Sequence, residues 1–414
     1  MLRWLLMAVA LLPSTVDWRG GAHAEDAAAV EEVCDAVGCP DDAVAARQLR
    51  WRVASYKDSK KTVYGGAFVV EAFAAAGFTG PVEDDDWDLF FTHYPMGKAI
   101  VSAGLPPRPG RLVNHCQYFT AAGQKCRLAG HLARVDQALN RSGSSSRQLT
   151  TFLLKRPEQA AAWQEALRAR PERHWLVKTC SGGASKGITL VSAADEQAIE
   201  EAVGTWVVAQ EYLHEPLLSS GGRKFHLRLY LLVTRWDPVG VFLYSEGLVF
   251  RSRHAHDGSK PSQSRDIFSS VSRDVEPLML ATIWKEFGRD RASTARSRML
   301  SVLAEVFGHA LHESFGDPAT LTKERGFDCF DLFGVDLMFD INLQPYVLEV
   351  NMGPNLWVDR QGQLEEKLLR AVKEPLVKQL AAWTGARIRL RPEATVEELR
   401  AVEEATLVDF ARVL

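Results

Sequence analysis

Several features are missing from this chain of 414 residues, and each absence excludes a class of site or partner. No glycine-rich stretch is followed by the Gly-Lys-Ser/Thr run that a P-loop requires. No internal repeat is visible, and no apolar run is long enough to span a membrane. A net charge of -3 gives no overall attraction for nucleic acid. We therefore expect no P-loop, no transmembrane span and no nucleic-acid partner.

Cysteine is also scarce, with six in the chain, and their spacing does not match a zinc site. Cys34 and Cys39 are close enough in sequence for a small local disulfide. We expect the other four to be thiols in the core or at the surface: Cys116, Cys126, Cys180 and Cys329.

The first 24 residues have the layout of a secretory signal peptide. An apolar run from Trp4 to Leu12 ends at Pro13, and Ala22-His23-Ala24 resembles a small-residue cleavage site. A misplaced start codon or an internal apolar helix would give the same pattern. If the signal is real, the protein works in an endomembrane lumen or outside the cell.

Length and composition predict an ordinary globular protein of two or three lobes, with 46% hydrophobic and 24% charged residues. Composition shifts and turn signals divide the chain. The predicted parts are a signal-like segment (1–24), an acidic arm (25–48), an N-terminal α/β lobe (49–149), a core (150–384) and a C-terminal helical tail (385–414). The core divides further into a central lobe (150–235) and a C-terminal lobe (236–384).

Apolar periodicity predicts helices at Phe68–Ala76, Leu278–Ser314 and Gln363–Trp383, and a terminal helix over Pro392–Leu414. Thr395 and Glu398 have the spacing of a capping box. The segment Arg251–Arg298 holds ten Lys/Arg against six Asp/Glu. It could attract an acidic protein tail, or it could simply be a solvated helix face.

The run FGVDLMFDINLQPYVLEVN, residues 333–351, predicts a β-hairpin with a loop near residues 340–345. A loop centred between Asn342 and Leu343 would set Asp336 opposite Glu349. Alternation would then place these residues on one face: Asp336, Met338, Val347, Glu349 and Asn351. The other, core-like face would hold Val335, Leu337, Phe339, Tyr346, Leu348 and Val350.

Two carboxylates directly opposite each other repel unless a cation lies between them. Mg²⁺ prefers oxygen ligands and is often held by one or two carboxylates together with substrate phosphates. The hairpin therefore predicts Mg²⁺ ligands at Asp336, Glu349 and Asn351, although an exposed polar face would have the same pattern.

Upstream, WLVKTCSGGASKGITLV (175–191) predicts two strands joined by a small-residue loop, with Lys178 and Lys186 near its ends. Such a loop lets backbone N–H groups approach an anion, and the lysines supply charge for phosphate oxygens. An ordinary hairpin turn is the alternative.

Two further strands add candidate nucleotide contacts. The first, 207–218, is apolar and turns polar at Gln210-Glu211-Tyr212-Leu213, which suits an adenine pocket. The second, 222–233, places Lys224, His226 and Arg228 on one face, with Phe225, Leu227 and Leu229 on the other. Cations on a buried strand are costly without an anionic partner.

Taken in order, these motifs resemble the tubulin tyrosine ligase-like family, and the resemblance covers roughly residues 85–385. The motifs are Asp86-Trp87-Asp88-Leu89, Val113-Asn114-His115, Lys178, Gln210-Glu211-Tyr212-Leu213, Arg223 to Arg228, Phe333-Gly334-Val335-Asp336 and Glu349-Val350-Asn351. The resemblance implies an α/β (α+β) protein with an ATP-grasp fold, which holds ATP between two β-sheet lobes and follows a smaller N-terminal α/β lobe. It also implies ligation of an amino acid to a protein through an acyl phosphate.

The resemblance implies roles for most of these positions, and the loop and strand patterns add Lys186, Glu211 and His226. Lys178 and Lys186 would contact phosphate, and Gln210, Glu211, Tyr212 and Leu213 would contact adenine. Lys224 and His226 would also lie at the nucleotide, Lys224 and Arg228 would act on the substrates, and Asp336, Glu349 and Asn351 would hold Mg²⁺. The expected protein is a monomer that uses ATP, a free amino acid (glutamate above others) and an acidic tail such as tubulin's.

Three departures from the family pattern leave alternatives open. His226 stands where the family usually has aspartate. Cys126-Arg127-Leu128 lacks an expected lysine unless Lys125 replaces it. No His-Leu-Thr-Asn run follows Glu246-Gly247; Ser264 to Ser272 stands there instead. One alternative is a nucleotide-binding pseudoenzyme that recognises an acidic peptide, and another is the same ligase acting on a lumenal acceptor. A tubulin role would place the protein in the cytoplasm, the cytoskeleton or a cilium.

Overall fold

The computed structural model describes residues 48–53, 65–93, 110–116, 122–142, 146–182, 187–236, 238–258, 261, 274–309, 314, 327–358, 363–390 and 394–414. The predicted signal-like segment, almost all of the acidic arm, Cys34, Cys39, Lys186 and the stretch Ser264–Ser272 lie outside these residues.

Fifteen strands and eight helices are formed by the described residues. The strands are β1 (Leu49–Arg52), β2 (Phe78–Val82), β3 (Leu89–Phe90), β4 (Arg111–Asn114), β5 (Thr151–Leu153), β6 (Trp175–Thr179), β7 (Ile188–Val191), β8 (Val207–Glu211), β9 (Leu218–Ser219), β10 (Arg223–Trp236), β11 (Val239–Ala255), β12 (Val275–Met279), β13 (Phe327–Phe339), β14 (Pro345–Asn351) and β15 (Phe410–Arg412). The helices are α1 (Ala67–Ala75), α2 (Lys125–Ala138), α3 (Pro157–Ala169), α4 (Glu196–Ala202), α5 (Leu280–Phe287), α6 (Arg289–Gly308), α7 (Gln363–Arg389) and α8 (Val396–Thr406).

The larger of two sheets has the strand order β12-β11-β10-β13-β4-β3-β1-β2, with β14 paired to β13, β15 to β11 and β9 to β10. Long antiparallel strands β10, β11 and β13 form its centre, and β13 runs parallel to β4 at the far end. Alternating apolar residues bury both faces. Leu227, Leu229 and Val335 pack on one side, and Tyr230 and Leu232 on the other.

The smaller sheet has the order β5-β8-β6-β7, and each of its strand pairs is antiparallel. Its core is built around Trp163 of α3 and Trp175 of β6, both almost fully buried. Helix α2 contacts β5 and β8 of this sheet and also β14 of the larger one. The N-terminal turn of α2 therefore lies where the two sheets approach each other.

Some predicted elements differ from the structure. The predicted helix over Leu278–Ser314 begins as strand β12 and is then broken at Gly288, whose φ of 76° ends α5 before α6 begins. The terminal segment is not one helix, because α8 ends at Thr406 and β15 then pairs with β11. The Thr395–Glu398 capping box is confirmed.

The predicted domain boundaries remain predictions. The smaller sheet falls inside the proposed central lobe, whereas β10 of that lobe belongs to the larger sheet. Helix α7 runs through residue 385. None of the helices in the described ranges is long and apolar enough to cross a bilayer.

Candidate functional site

Strands β13 and β14 form the predicted hairpin, and Asp336 lies opposite Glu349 as predicted. The loop is tied by the Asp340 carboxylate, which accepts hydrogen bonds of 2.8 Å from the N–H groups of Asn342 and Gln344. The register shifts by one residue after Asp336, so that Leu337 pairs with Val347 and Met338 with Tyr346.

This bulge corrects the predicted faces of the hairpin. Val347 is buried in the apolar cluster with Leu337, and Tyr346 lies beside Met338, so both predictions were wrong. Leu348 is the extra residue of the bulge. A bulge on the second strand reverses the alternation beyond it, while Glu349 and Asn351 keep the faces that were predicted.

Asp336 is held by Arg228 of the neighbouring strand β10. The two residues are register partners, and the guanidinium donates from Nε at 2.5 Å and from a terminal nitrogen at 3.0 Å. Burial opposes the charge on Arg228, but Asp336 raises its pKa above the ordinary value. Gly334 makes room for this arginine, because a Cβ there would lie 3.1 Å from Arg228 Cδ.

Glu349 is held by Lys125, the first residue of helix α2. The Lys125 ammonium group donates to Glu349 Oε1 at 2.8 Å and to the carbonyl oxygen of Gly182 at 2.6 Å. Glu349 belongs to the larger sheet, and Gly182 to the loop between β6 and β7 of the smaller one. One buried lysine therefore links the carboxylate hairpin to the glycine-rich loop.

The donor atoms of the hairpin fit a hard divalent cation. Asn351 lies near Asp336, with its amide nitrogen 3.5 Å from Asp336 Oδ2, and it also donates to the Gly334 carbonyl at 3.3 Å. Turning the amide would present its oxygen beside the two carboxylates. Among the described residues no three or more His, Cys, Asp or Glu side chains form a metal site. Two carboxylates and one amide are the kind of oxygen donors that Mg²⁺ prefers, with phosphates and waters as its other ligands.

Lys178 lies at the loop end of β6 and is buried. Its ammonium group donates to Gln210 Oε1 at 2.6 Å, and the Gln210 amide donates to Thr151 Oγ1 at 3.2 Å. Burial lowers the pKa of Lys178 to about 8; the nearby Glu349 opposes this shift and Lys125 adds to it. A buried lysine at the end of a strand supplies a positive charge that is suited to an anion.

The segment after β8 leads from the smaller sheet to the larger. Tyr212 is buried, and its N–H donates to the His174 carbonyl at 2.9 Å. Lys224 donates to the Tyr212 hydroxyl at 2.9 Å and lies 4.1 Å from the ring centroid. Glu211 lies 3.7 Å from Arg170 and 3.8 Å from Arg173, and Leu213 is half-buried.

His226 shares its face of β10 with Lys224 and Arg228, as predicted, and is buried against Phe250. Burial lowers its pKa to about 4; Asp336 opposes this shift, while Arg228 and Lys224 add to it. The imidazole is therefore neutral at physiological pH.

The structure brings most of the predicted site residues to the region between the two sheets, while Lys186 lies outside the described residues. The motif analysis gave Lys125 only a substitute role. Its position was nevertheless a usable signal. The positive end of the helix dipole repels a cation in the first turn, so a lysine there does not stabilise the helix and is more readily explained by a role in the site.

The prediction of free thiols at four cysteines was wrong, whereas Cys34 and Cys39 lie outside the described residues. Cys116 is bonded to Cys329, with 5.3 Å between their Cα atoms, and Cys126 to Cys180, with 5.0 Å. Sequence separations of 213 and 54 residues give no local sign of either pairing. No described cysteine is free.

Known proteins resemble this chain over most of its length. A model of the tubulin-tyrosine ligase family matches residues 107–266 and 278–385. The chain is 25% identical over 331 residues to tubulin monoglutamylase TTLL4 of Mus musculus, which covers 75% of this chain and 26% of that protein. It is 27% identical over 323 residues to tubulin polyglutamylase TTLL6 of Homo sapiens, covering 70% and 33%.

A third relative is matched along most of its own length. It is the probable alpha-tubulin polyglutamylase Ttll1 of Tetrahymena thermophila, 22% identical over 355 residues, with 76% of this chain and 84% of that protein covered. The chain spans about a quarter of TTLL4. The family match confirms the resemblance seen in the motifs. The larger sheet is mixed and the smaller one is antiparallel, and together with the helices they confirm the α/β class expected of an ATP-grasp-like fold.

Proposed function

The chain belongs to the tubulin-tyrosine ligase family, and on that premise we propose that it is an ATP-dependent ligase that joins an amino acid to a protein acceptor. Glutamate is the amino acid that we propose, and an acidic, tubulin-like tail is the acceptor. Three relatives are named as tubulin glutamylating proteins, which supports this choice.

The observation that carries the proposal is the position of Lys125. Its ammonium group contacts Glu349 of one sheet and Gly182 of the loop in the other. A nucleotide whose phosphates lie at the glycine-rich loop would therefore reach the carboxylates of the hairpin. This is the geometry needed for phosphoryl transfer, in which the protein contributes positioning and electrostatic stabilisation.

Each predicted residue has a role in this proposal. Lys178, with Lys186, binds phosphate oxygens; Gln210, Glu211, Tyr212 and Leu213 form the adenine pocket; and His226 adds a neutral wall. Lys224 and Arg228 orient the carboxylate that attacks the γ-phosphate. The amine of the other substrate then displaces phosphate from the acyl phosphate.

Asp336, Glu349 and Asn351 would hold the magnesium ion, which supplies charge neutralisation at the phosphates when bound. Arg228 and Lys125 already balance the two carboxylates. In this proposal no side-chain nucleophile is needed, because positioning and electrostatic stabilisation carry the reaction.

Ligation of labelled amino acids tests this function. Purified protein with ATP and Mg²⁺ should attach glutamate, rather than tyrosine or glycine, to a tubulin acceptor. Glu349→Gln should reduce the rate by about 100-fold or more, since it removes a charge from the reacting site. Glu374→Gln, which changes a half-buried ion-pair partner of Arg370 in α7, is the matched control. ATP binding without ligation in wild-type protein would instead favour the nucleotide-binding pseudoenzyme.

A second candidate keeps the chemistry and changes the acceptor to a lumenal protein. Two disulfides among the described residues favour it, because such bonds persist mainly in oxidising compartments. Expression with a C-terminal tag shows whether residues 1–24 are removed in cells. Removal would support the lumenal acceptor, and an intact N-terminus on a reduced protein would support tubulin.

A further inference from the structure

One disulfide joins two parts of the site that come from different elements. Cys126 directly follows Lys125 in the first turn of α2, and Cys180 lies two residues before Gly182. Their bond therefore brackets the contact of Lys125 with the Gly182 carbonyl oxygen. The other disulfide, between Cys116 and Cys329, connects the ends of β4 and β13 and does not bracket a site residue in this way.

Backbone hydrogen bonds continue the same connection. The Lys125 N–H donates to the Cys180 carbonyl at 2.9 Å, and the Cys180 N–H donates to the Trp206 carbonyl at 3.2 Å. The start of α2 is thus tied through Cys180 to the beginning of β8. Lys125 itself is only 8% exposed, so its side chain has little freedom within this frame.

Helix α2 alone does not favour a lysine at this position. Its N-cap Gln124 makes no capping hydrogen bond from its side chain, and the first turn contains no acid. The positive end of the helix dipole repels an ammonium group there. An external restraint is therefore needed to hold Lys125 against Glu349, and a covalent bond to the loop supplies it by limiting the conformations available to both segments.

We propose that the Cys126–Cys180 disulfide positions Lys125 in the site, so that the ligase works fully only in its oxidised form. This inference rests on the proposed ligase function. Cys126 and Cys180 are both half-buried, so a small dithiol can approach either sulfur; in the other disulfide Cys329 is half-buried and Cys116 is 2% exposed. In the reduction, a dithiol gives two electrons and two protons, the S–S bond breaks to leave two thiols, and the dithiol closes to its own disulfide.

The test is a double-variant cycle on the full-length protein. Cys126→Ser/Cys180→Ser should lower kcat/KM for ligation by about 10- to 100-fold, the loss typical of a misplaced site group. The same pair of substitutions should have little further effect in a Lys125→Met background. Cys116→Ser/Cys329→Ser is the control, and it should keep kcat/KM at temperatures where circular dichroism shows folded protein. Unchanged kcat/KM without Cys126 and Cys180, or equal losses in both backgrounds, would overturn the proposal.

A second readout does not depend on ligation. Lys125 should react slowly with an amine-acetylating reagent in oxidised protein and at least about fivefold faster after dithiothreitol treatment, because loss of the bond frees a buried amine. Peptide mass spectrometry quantifies the modification, with Lys285 as an exposed reference. If reduction speeds the acetylation of Lys125 but the protein has no ligase activity, only the proposed function is contradicted. If the protein ligates amino acids but Lys125 is acetylated at the same rate before and after reduction, only the positioning role of the disulfide is contradicted.

Discussion

Arg228 and Asp336 lie directly opposite each other on adjacent strands and share two hydrogen bonds at the centre of the site. Their side chains are 12% and 11% exposed. A buried pair of this kind is costly to break, because removal of one partner leaves the other charge without compensation. Each member of the pair therefore compensates the charge of the other within the site, and the pair also contributes to the stability of the larger sheet.

Arg228→Met should lower the free energy of unfolding by about 3–5 kcal/mol, since it leaves Asp336 buried and unpaired. Adding Asp336→Leu should recover part of that loss, because no uncompensated charge then remains. Urea unfolding of both single variants and the double variant gives the coupling energy. Strictly additive losses would show that the ion pair carries no coupling.

If Lys178 binds a phosphate, as we propose, nucleotide affinity should depend on pH. Its pKa of about 8 means that the ammonium form dominates below pH 8 and is lost above it. If ATP binds that form, the affinity should fall by about tenfold per pH unit above pH 8, as expected for one linked proton. Calorimetric titrations from pH 7 to 9.5 measure this. Lys178→Met should weaken binding at pH 7 and remove the step, whereas Lys285→Met on the exposed surface should keep it.

His226 should contribute to loss of stability in acid. The folded protein lowers its pKa to about 4 from the ordinary 6.5, so the unfolded chain binds the proton first as pH falls. The contribution of His226 to the free energy of unfolding is therefore fully present above pH 6.5. As the pH falls from 6.5 to 4 this contribution, about 3 kcal/mol in total, is lost.

Thermal unfolding of His226→Gln across this range measures that contribution. The stability of the variant should fall less steeply with decreasing pH than the stability of the wild type does. His254→Gln, at an exposed histidine paired with Asp274, should behave as the wild type does. If the stability of His226→Gln falls with pH as steeply as that of the wild type, His226 does not contribute to unfolding in acid.

Thr395→Ala should cost about 1 kcal/mol of stability, because it removes the capping box of α8. Ligation should not change, since α8 lies outside the site. Chemical denaturation compares it with Thr294→Ala, an exposed threonine within α6 that caps no helix.

Sequence reasoning located the features that local patterns determine. Alternation in the hairpin gave the Asp336–Glu349 pairing, and the spacing of Thr395 and Glu398 gave the helix cap. The bulge at Leu348 was missed because an extra residue in one strand leaves the apolar pattern almost unchanged. The two disulfides were missed because each joins cysteines that are brought together only by the tertiary fold.

The break at Gly288 shows a limit of a different kind. Apolar periodicity continues across it, so the pattern predicted one long helix, but the glycine adopts a φ of 76° that ends the first helix. The strand after α8 was missed for a related reason. Phe410–Arg412 is too short for a pattern of its own and is fixed by pairing with β11.

We propose that the cleft between the two sheets uses ATP to ligate glutamate to an acidic protein tail. Intact-mass analysis of tubulin after incubation with the oxidised protein, ATP, Mg²⁺ and mixed amino acids tests it most directly. We predict mass increases in whole glutamyl units that require ATP and disappear with Glu349→Gln. Tubulin of unchanged mass, in the presence of folded protein that binds ATP, would contradict the claim.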